Sequence, residues 1–231
     1  MRQYSCKISR EELARFIDHT ILKPEITVGD IKKVCEEAIV FNFAAVCIPP
    51  FYTTLASNIL RQSGTKVCTV IGFPFGYNFP ETKSFEAVRA VETGADELDM
   101  VINITALKSK DLMSVGKDIE GVVNAANGRI VKVIIETCYL SEKEKIKACK
   151  CAVNSGASFV KTSTGLGSGG ASVEDIRLMC KTVPDGVGVK AAGGVRDLKT
   201  ALSMIEAGAK RIGTSSGVRI ISEINEISNG C

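Results

Sequence analysis

Short apolar, β-branched runs recur along the chain at intervals of roughly 25 to 30 residues, each of strand length. They cover residues 18–22, 43–48, 66–71, 97–103, 130–136, 158–162, 188–191 and 211–214. Between them the apolar positions switch to helical spacing. Over residues 27–41, for example, Ile31, Val34, Cys35, Ala38 and Ile39 share one stripe, as an amphipathic helix requires. The same period predicts helices over 81–92, 111–127, 142–153, 173–180, 198–207 and 218–227. Thr27, Ser141, Ser172 and Asp197 stand where helix N-caps belong, because their side chains accept from otherwise unpaired N–H groups. Eight strands alternating with helices, without a linker, predict one domain over 1–231: an α/β fold, a (β/α)₈ TIM barrel. A doubly wound open sheet is the alternative; eight near-equal units favour closure. A further helix over 9–16 precedes the first strand and would lie across the barrel bottom.

An internal repeat sharpens this expectation. Gly94-Ala95, Gly156-Ala157 and Gly208-Ala209 each follow a helical segment and precede a strand. Glycine is expected just past a helix C-terminus, where positive φ costs it little. Five residues beyond each glycine stand Asp99, Lys161 and Gly213. Side chains alternate along a strand, so equal offsets predict equal facing. All three are expected inside the barrel near its C-terminal mouth, where such folds place their chemistry.

Composition narrows the partners. Twenty-nine Lys and Arg against 26 Asp and Glu give a net charge of +3, too mild to predict a nucleic-acid or membrane-surface partner. No apolar run is long enough to span a bilayer. The first residues, Met1-Arg-Gln-Tyr-Ser-Cys-Lys7, carry no apolar segment, and the nine cysteines are odd in number with no C-x-x-C pair. Reduced thiols and a cytoplasmic location are therefore expected. Most cysteines should be small buried hydrophobes; Cys149-x-Cys151 could be a redox or metal pair, but its Lys-rich helical setting argues against that. His19 is the one histidine, and a lone imidazole cannot build a histidine metal cluster. No metal or cofactor is expected.

Lys161 and Lys190 sit inside apolar strands, where a charged amine is costly unless paired. The bland alternatives are an edge strand or a buried salt bridge. The functional one is a nucleophile. An amine attacks a carbonyl only as the free base, and burial or a neighbouring cation favours that form. If the two lysines crowd each other, one becomes the nucleophile. Its iminium is an electron sink that lets a carbon–carbon bond β to it break or form. Asp99, through a water and with Lys190, would move the protons.

The glycines after the last two strands, 191–196 and 213–217, could cradle a phosphate with backbone N–H groups and a helix N-terminus. Tight turns alone are the alternative, and Arg196 would either add charge there or face solvent. Residues 165–170 match G-x-G-x-x-G; in a sixth βα unit they read as a flexible loop closing over a phosphorylated substrate rather than a dinucleotide site. Thr20 and His19 could hydrogen-bond around the active carboxylate or lysine, or His19 could be a satisfied structural residue. Cys47 would line the mouth or pack. Residues 72–76 predict a rigid loop. Glu136 would pair with a lysine or anchor structure.

These residues together resemble the deoxyribose-phosphate aldolase family over nearly the whole chain. The resemblance rests on the joint order of Asp18-His-Thr-Ile-Leu-Lys-Pro24, Val46-Cys-Ile-Pro49, Ile71-Gly-Phe-Pro-Phe-Gly76, Glu97-Leu-Asp-Met-Val101, Lys132-Val-Ile-Ile-Glu-Thr137, Phe159-Val-Lys-Thr-Ser-Thr-Gly165, Val189-Lys-Ala-Ala-Gly-Gly194 and Gly213-Thr-Ser-Ser216. It implies a cytoplasmic class I aldolase of deoxyribonucleotide catabolism, cleaving 2-deoxy-D-ribose 5-phosphate reversibly to D-glyceraldehyde 3-phosphate and acetaldehyde. A non-covalent phosphosugar isomerase or epimerase on the same barrel is the alternative. The resemblance implies Lys161 as Schiff-base lysine and Asp99 and Lys190 as proton relay. It also implies phosphate contacts from Gly165, Gly193, Gly194, Gly213, Ser215 and Ser216, and a homodimer or tetramer. One departure stands out. Some family members bring a C-terminal tyrosine over the site, whereas no tyrosine follows Tyr139 here. Either proton transfer then uses water through Asp99 and Lys190, or the tail does not take part.

Overall fold

The computed structural model describes residues 8–228. Cys6, Cys231 and the residues around them, on which the reading of the tail bears, lie outside that range. Eight parallel strands close into a barrel in chain order, β8 pairing back onto β1. They are β1 (Ile17–Thr20), β2 (Ala45–Ile48), β3 (Lys66–Ile71), β4 (Glu97–Val101), β5 (Ile130–Ile134), β6 (Phe159–Lys161), β7 (Gly188–Ala192) and β8 (Arg211–Thr214). The helices are α1 (Arg10–Ala14), α2 (Val28–Phe41), α3 (Thr53–Leu60), α4 (Pro80–Glu92), α5 (Ile104–Lys108), α6 (Leu112–Ala125), α7 (Glu142–Asn154), α8 (Val173–Thr182), α9 (Leu198–Glu206) and α10 (Gly217–Ser228). No helix among the described residues is long and apolar enough to cross a membrane.

The local sequence explains most of these boundaries. Thr27 and Ser141 close capping boxes with Asp30 and Glu144, and Ser172 and Asp197 accept from the third residue onward. Gly94, Gly156 and Gly208 take φ of +104°, +86° and +113°. Each donates its N–H to the carbonyl three residues back, while the following alanine reaches back five: Ala95 to Ala90, Ala157 to Ala152, Ala209 to Met204. Three times the chain thus leaves a helix through one paired-carbonyl stop, which gives the following strands one common phase.

Several elements differ from the sequence expectation. The first, fourth, fifth and sixth strands stop short of residues 22, 103, 136 and 162, because the chain turns into site loops there. Helices α3 and α5 were not signalled by the sequence. α3 follows a turn at Pro50–Tyr52 and has no side-chain N-cap. α5 has five residues, too few to display a period. Helix α1 packs on α10, with the Arg10 guanidinium 5.6 Å from the centre of the Phe41 ring. That places it at the barrel's lower rim.

Apolar side chains fill the layer between strands and helices. Ile17, Phe43, Val46, Ile48, Leu98, Met100, Val133, Val160 and Ile212 pack there against Ile31, Ala87, Ile119, Ala148, Ile176 and Ile221. A second, small apolar cluster of Ala45, Cys47, Cys68 and Val70 belongs to β2 and β3. The remaining strands bury charge: Asp18, Glu97, Asp99, Lys132, Lys161 and Lys190 are all at most 3% exposed.

Candidate active site

Strand register brings the charged side chains together. Lys161 on β6 pairs with Lys190 on β7, and Lys190 with Arg211 on β8. Asp99 on β4 pairs with Lys132 on β5. Laterally paired residues of a parallel sheet share a face, so these side chains converge. Asp99 is the hub. Its Oδ1 accepts from Lys132 Nζ at 2.7 Å, and its Oδ2 accepts from both Lys161 Nζ at 2.8 Å and Lys190 Nζ at 2.7 Å. The two amines therefore lie within the sum of those two bonds of each other. Lys190 also donates to Asp18 Oδ2, and Lys132 sits 2.7 Å from Glu97 Oε2. Below them Arg211 donates through Nε and Nη2 to Asp18 Oδ1, and to Glu97 at 3.2 and 2.9 Å.

The expected lysine crowding is thus mediated by a shared carboxylate. Asp99 is fully buried, which alone would favour its neutral form, yet Lys132, Lys161 and Lys190 together hold it well below the usual carboxylate range. Burial likewise works against the charge on Lys190, but Asp18 and then Asp99 overcome it and raise its pKa. Lys132 is raised in the same way, by Asp99 foremost among its anionic partners. Lys190 is therefore a fixed ammonium beside Lys161. The network holds four cations against three carboxylates, and Lys161 has a single carboxylate partner among the described residues, Asp99.

Sequence reasoning picked three members of this network and passed over four: Asp18, Glu97, Lys132 and Arg211. Lys132 carried the same signal as Lys161, a lysine inside an apolar strand. Asp18 and Glu97 stood at strand starts, where a polar residue draws no notice. Only closure of the barrel brings Arg211 across to them.

The other candidates divide. Lys161, Thr20, Gly165, Gly193, Gly194, Gly213, Ser215 and Ser216 line one cleft of about 950 Å³, with the exposed Arg196 at its edge. The Thr20 hydroxyl donates to the Asp18 carbonyl. Ser216 N–H donates to Thr214 Oγ1 at 2.9 Å, and that hydroxyl donates to Val195 O at 2.6 Å. The loops after β7 and β8 are thereby tied together just ahead of α10. The far end of the 165–170 loop meets the loop after β7: Ala171 N–H reaches Gly193 O at 2.9 Å. A Cβ on Gly170 would lie 2.2 Å from that same oxygen, so glycine is required where the two loops cross. Glu136 anchors the loop from the other side by accepting from Thr164 N–H and its hydroxyl, and pairs with no lysine among the described ion pairs. The 72–76 loop is closed by Gly76 N–H on Gly72 O at 2.8 Å.

His19 also borders that cleft, but it bonds to none of the lysines: it shares a 2.7 Å hydrogen bond with Glu37 on α2, its ring tilted against Phe43. Cys47 is fully buried below the mouth rather than lining it. With Cys68 and Asp99 it offers three ligand atoms within 4.8 Å. A cation would not fit there: Lys132 Nζ already lies 3.2 Å from Cys68 Sγ and 2.7 Å from Asp99 Oδ1, and its charge opposes a second one. Burial pushes the Cys68 thiol well up, away from the thiolate a metal needs. Cys149 is buried and raised to about 12, also by burial, while Cys151 is half-buried and donates to Leu112 O. All seven described cysteines are free.

A family model described as DeoC/LacD family aldolase matches residues 13–223. The chain belongs to that family. Among its relatives, the deoxyribose-phosphate aldolase of Clostridium tetani is 56% identical over 213 residues, covering 92% of this chain and 99% of that one. The deoxyribose-phosphate aldolase of Thermococcus kodakarensis is 59% identical over 218 residues, covering 93% and 97%. Among solved structures, a deoxyribose phosphate aldolase from Aeropyrum pernix, titled as a unique tetrameric structure, superposes with a TM-score of 0.89 at 35% identity, covering 95% and 93%. One titled a putative deoxyribose-phosphate aldolase from Coccidioides immitis gives 0.92 at 40%, covering 94% and 87%. The aldolase fold, and with it the closed rather than open sheet, is shared along the chain.

Proposed function

We propose that this protein is a class I aldolase that reversibly cleaves 2-deoxy-D-ribose 5-phosphate to D-glyceraldehyde 3-phosphate and acetaldehyde, with Lys161 as the Schiff-base residue. The observation that carries the assignment to residues is the single Asp99 oxygen shared by two buried lysines at the edge of a glycine-lined cleft. The family and its named relatives support the reaction. Deprotonating Lys161 leaves three cations against three carboxylates, so the neutral amine balances the interior rather than burdening it. That amine adds to the substrate aldehyde carbon, water leaves, and an iminium forms. A proton leaves the hydroxyl of the third carbon, the bond between the second and third carbons breaks, and its electron pair passes into the iminium as an enamine. The enamine takes a proton at carbon, and water releases acetaldehyde.

Asp99 stays ionised between the lysines, so it passes protons along the oxygen it shares with Lys161 and Lys190 rather than storing one. Gly165, Gly193, Gly194, Gly213, Ser215 and Ser216 are assigned to the phosphate. The start of α10 adds its positive end there, and Ser216 contributes its hydroxyl because its N–H is already used. Thr20 and Cys47 act as supports, the first beside the cleft and the second beneath it. One barrel domain carries the whole activity. The free cysteines support a reducing compartment such as the cytoplasm, and the tetrameric Aeropyrum pernix relative supports a homo-oligomer.

The test is reductive trapping with acetaldehyde and borohydride, followed by peptide mapping. A stable adduct on Lys161 is expected, absent in Lys161→Arg. Trapping on another lysine, or none at all, overturns the assignment. Activity surviving in Lys161→Arg would instead favour the isomerase.

A further inference from the structure

We infer that Arg211 is a positioning residue that, from the floor of the barrel, sets the pH range in which the Lys161 amine can react. This rests on the Schiff-base reading above and assigns a role to a side chain that does not reach substrate.

The geometry isolates what Arg211 does. Its guanidinium occupies Asp18 Oδ1 from two nitrogens and both oxygens of Glu97. This leaves Asp18 Oδ2 to face Lys190. Guanidinium is planar and permanently charged, so it holds two carboxylates in a fixed relation as no lysine would. Lys190 keeps its ammonium through Asp18 and Asp99, and Arg211 keeps Asp18 in place. The order of contact is therefore Arg211, Asp18, Lys190, Asp99, Lys161.

The second effect is charge. Among the described residues, the ionisable side chains facing this space are Asp18 from β1, Cys47 from β2, Cys68 from β3, Glu97 and Asp99 from β4, Lys132 from β5, Lys161 from β6, Lys190 from β7 and Arg211 from β8. Of the two thiols, burial pushes Cys68 well up, while its hydrogen bond to Cys47 lowers Cys47 below the ordinary thiol value. The rest comprise four cations and three anions, and Arg211 is the cation that makes the excess. Without it, loss of the Lys161 proton would leave an unbalanced negative charge in a water-poor interior. With it, the same loss brings the interior to balance.

Lys161 and Arg211 are two strands apart in register, or ~10 Å at ordinary strand spacing. One charge over that distance, at an effective permittivity near 20, moves a protonation equilibrium by roughly one pH unit.

The experiment is the pH dependence of reductive trapping by acetaldehyde and borohydride on the full chain, in three variants. Arg211→Met removes a cation, and its midpoint should move roughly one unit to alkaline pH, with trapping recovered at high pH. Glu97→Gln removes an anion with nearly the same shape, and its midpoint should move to acid pH. Arg211→Lys keeps the charge but loses the fork to two carboxylates, so its midpoint should lie between those of wild type and Arg211→Met. Opposite shifts in the first two variants support the inference. Where Arg211→Met does not fold, Arg211→Gln, which removes the charge but keeps an amide to hydrogen-bond Asp18, takes its place, and an unmoved or acid midpoint there overturns the inference. Equal loss of trapping at every pH in Arg211→Met would mean a merely structural role, which also overturns it. These outcomes differ from failure of the Schiff-base reading, in which wild type itself leaves no adduct on Lys161.

Discussion

Lys83 and Lys190 are both fully buried lysines, each bonded to an aspartate, yet their surroundings drive them in opposite directions. Lys83 lies on α4 outside the barrel, 2.6 Å from Asp118 on α6 and 3.0 Å from the Val101 carbonyl. Burial dominates there: it lowers the pKa of Lys83 and raises that of Asp118, so both drift toward neutrality. Asp118 Oδ1 has no hydrogen-bond partner. Lys190 loses as much solvent, but Asp18 and Asp99 together overcome the penalty and raise its pKa. Burial alone does not make a lysine reactive or inert. How closely the carboxylates approach decides: Lys190 bonds two directly, whereas Lys83 bonds Asp118 alone and feels Glu86 only as a weaker Coulomb attraction that leaves desolvation in charge.

Breaking the hub should have the largest effect. Asp99→Asn leaves three buried ammonium groups without their shared anion. We expect at least a ~10³-fold loss of aldol cleavage and ~3–5 kcal/mol of stability, least at high pH, where lysines shed protons most easily. Steady-state cleavage assays and urea unfolding at two pH values check both. Near-normal activity would remove Asp99 from the relay.

The isolated pair should behave with the opposite pH sign. Lys83→Met leaves Asp118 alone, so it takes up a proton on folding. A group with a raised folded pKa costs more stability as pH climbs above its unfolded value. We expect a loss of ~3 kcal/mol at pH 8 and less at pH 5, with cleavage retained. An equal loss at both would show that packing, not charge, holds this site.

Acid should uncouple the barrel interior. Asp18 is lowered to about 2: burial opposes this, but Lys190 and then Arg211 outweigh it. A carboxylate depressed in the folded state contributes its stability above the unfolded pKa near 4. That contribution fades as pH falls toward 2. About 2 kcal/mol should therefore disappear in that window, read as a falling Tm by circular dichroism. In Asp18→Asn the slope should flatten; an unchanged slope would place the acid lability elsewhere. The smallest effect belongs to a cap far from the network. Ser172→Ala removes the acceptor for Asp175 N–H and should cost ~1 kcal/mol with kcat unchanged.

The alternation of short apolar, β-branched runs with helical stretches, the three glycine stops and the cap residues wrote the barrel into the chain, because each acts over a few neighbouring residues. The lysines declared themselves for a similar local reason: a charge among valines needs an explanation wherever the strand goes. The rest was set by closure. Whether Lys161 meets Lys190 directly or across Asp99, and that Asp18, Glu97 and Arg211 join them, depends on which residues of distant strands share a level. That level comes from the register accumulated around eight strands, a property of the closed sheet that no single strand contains. His19 shows the converse. Beside Asp18 in sequence it looked equally placed, but alternation along β1 sends it to the opposite face, onto α2 and Glu37.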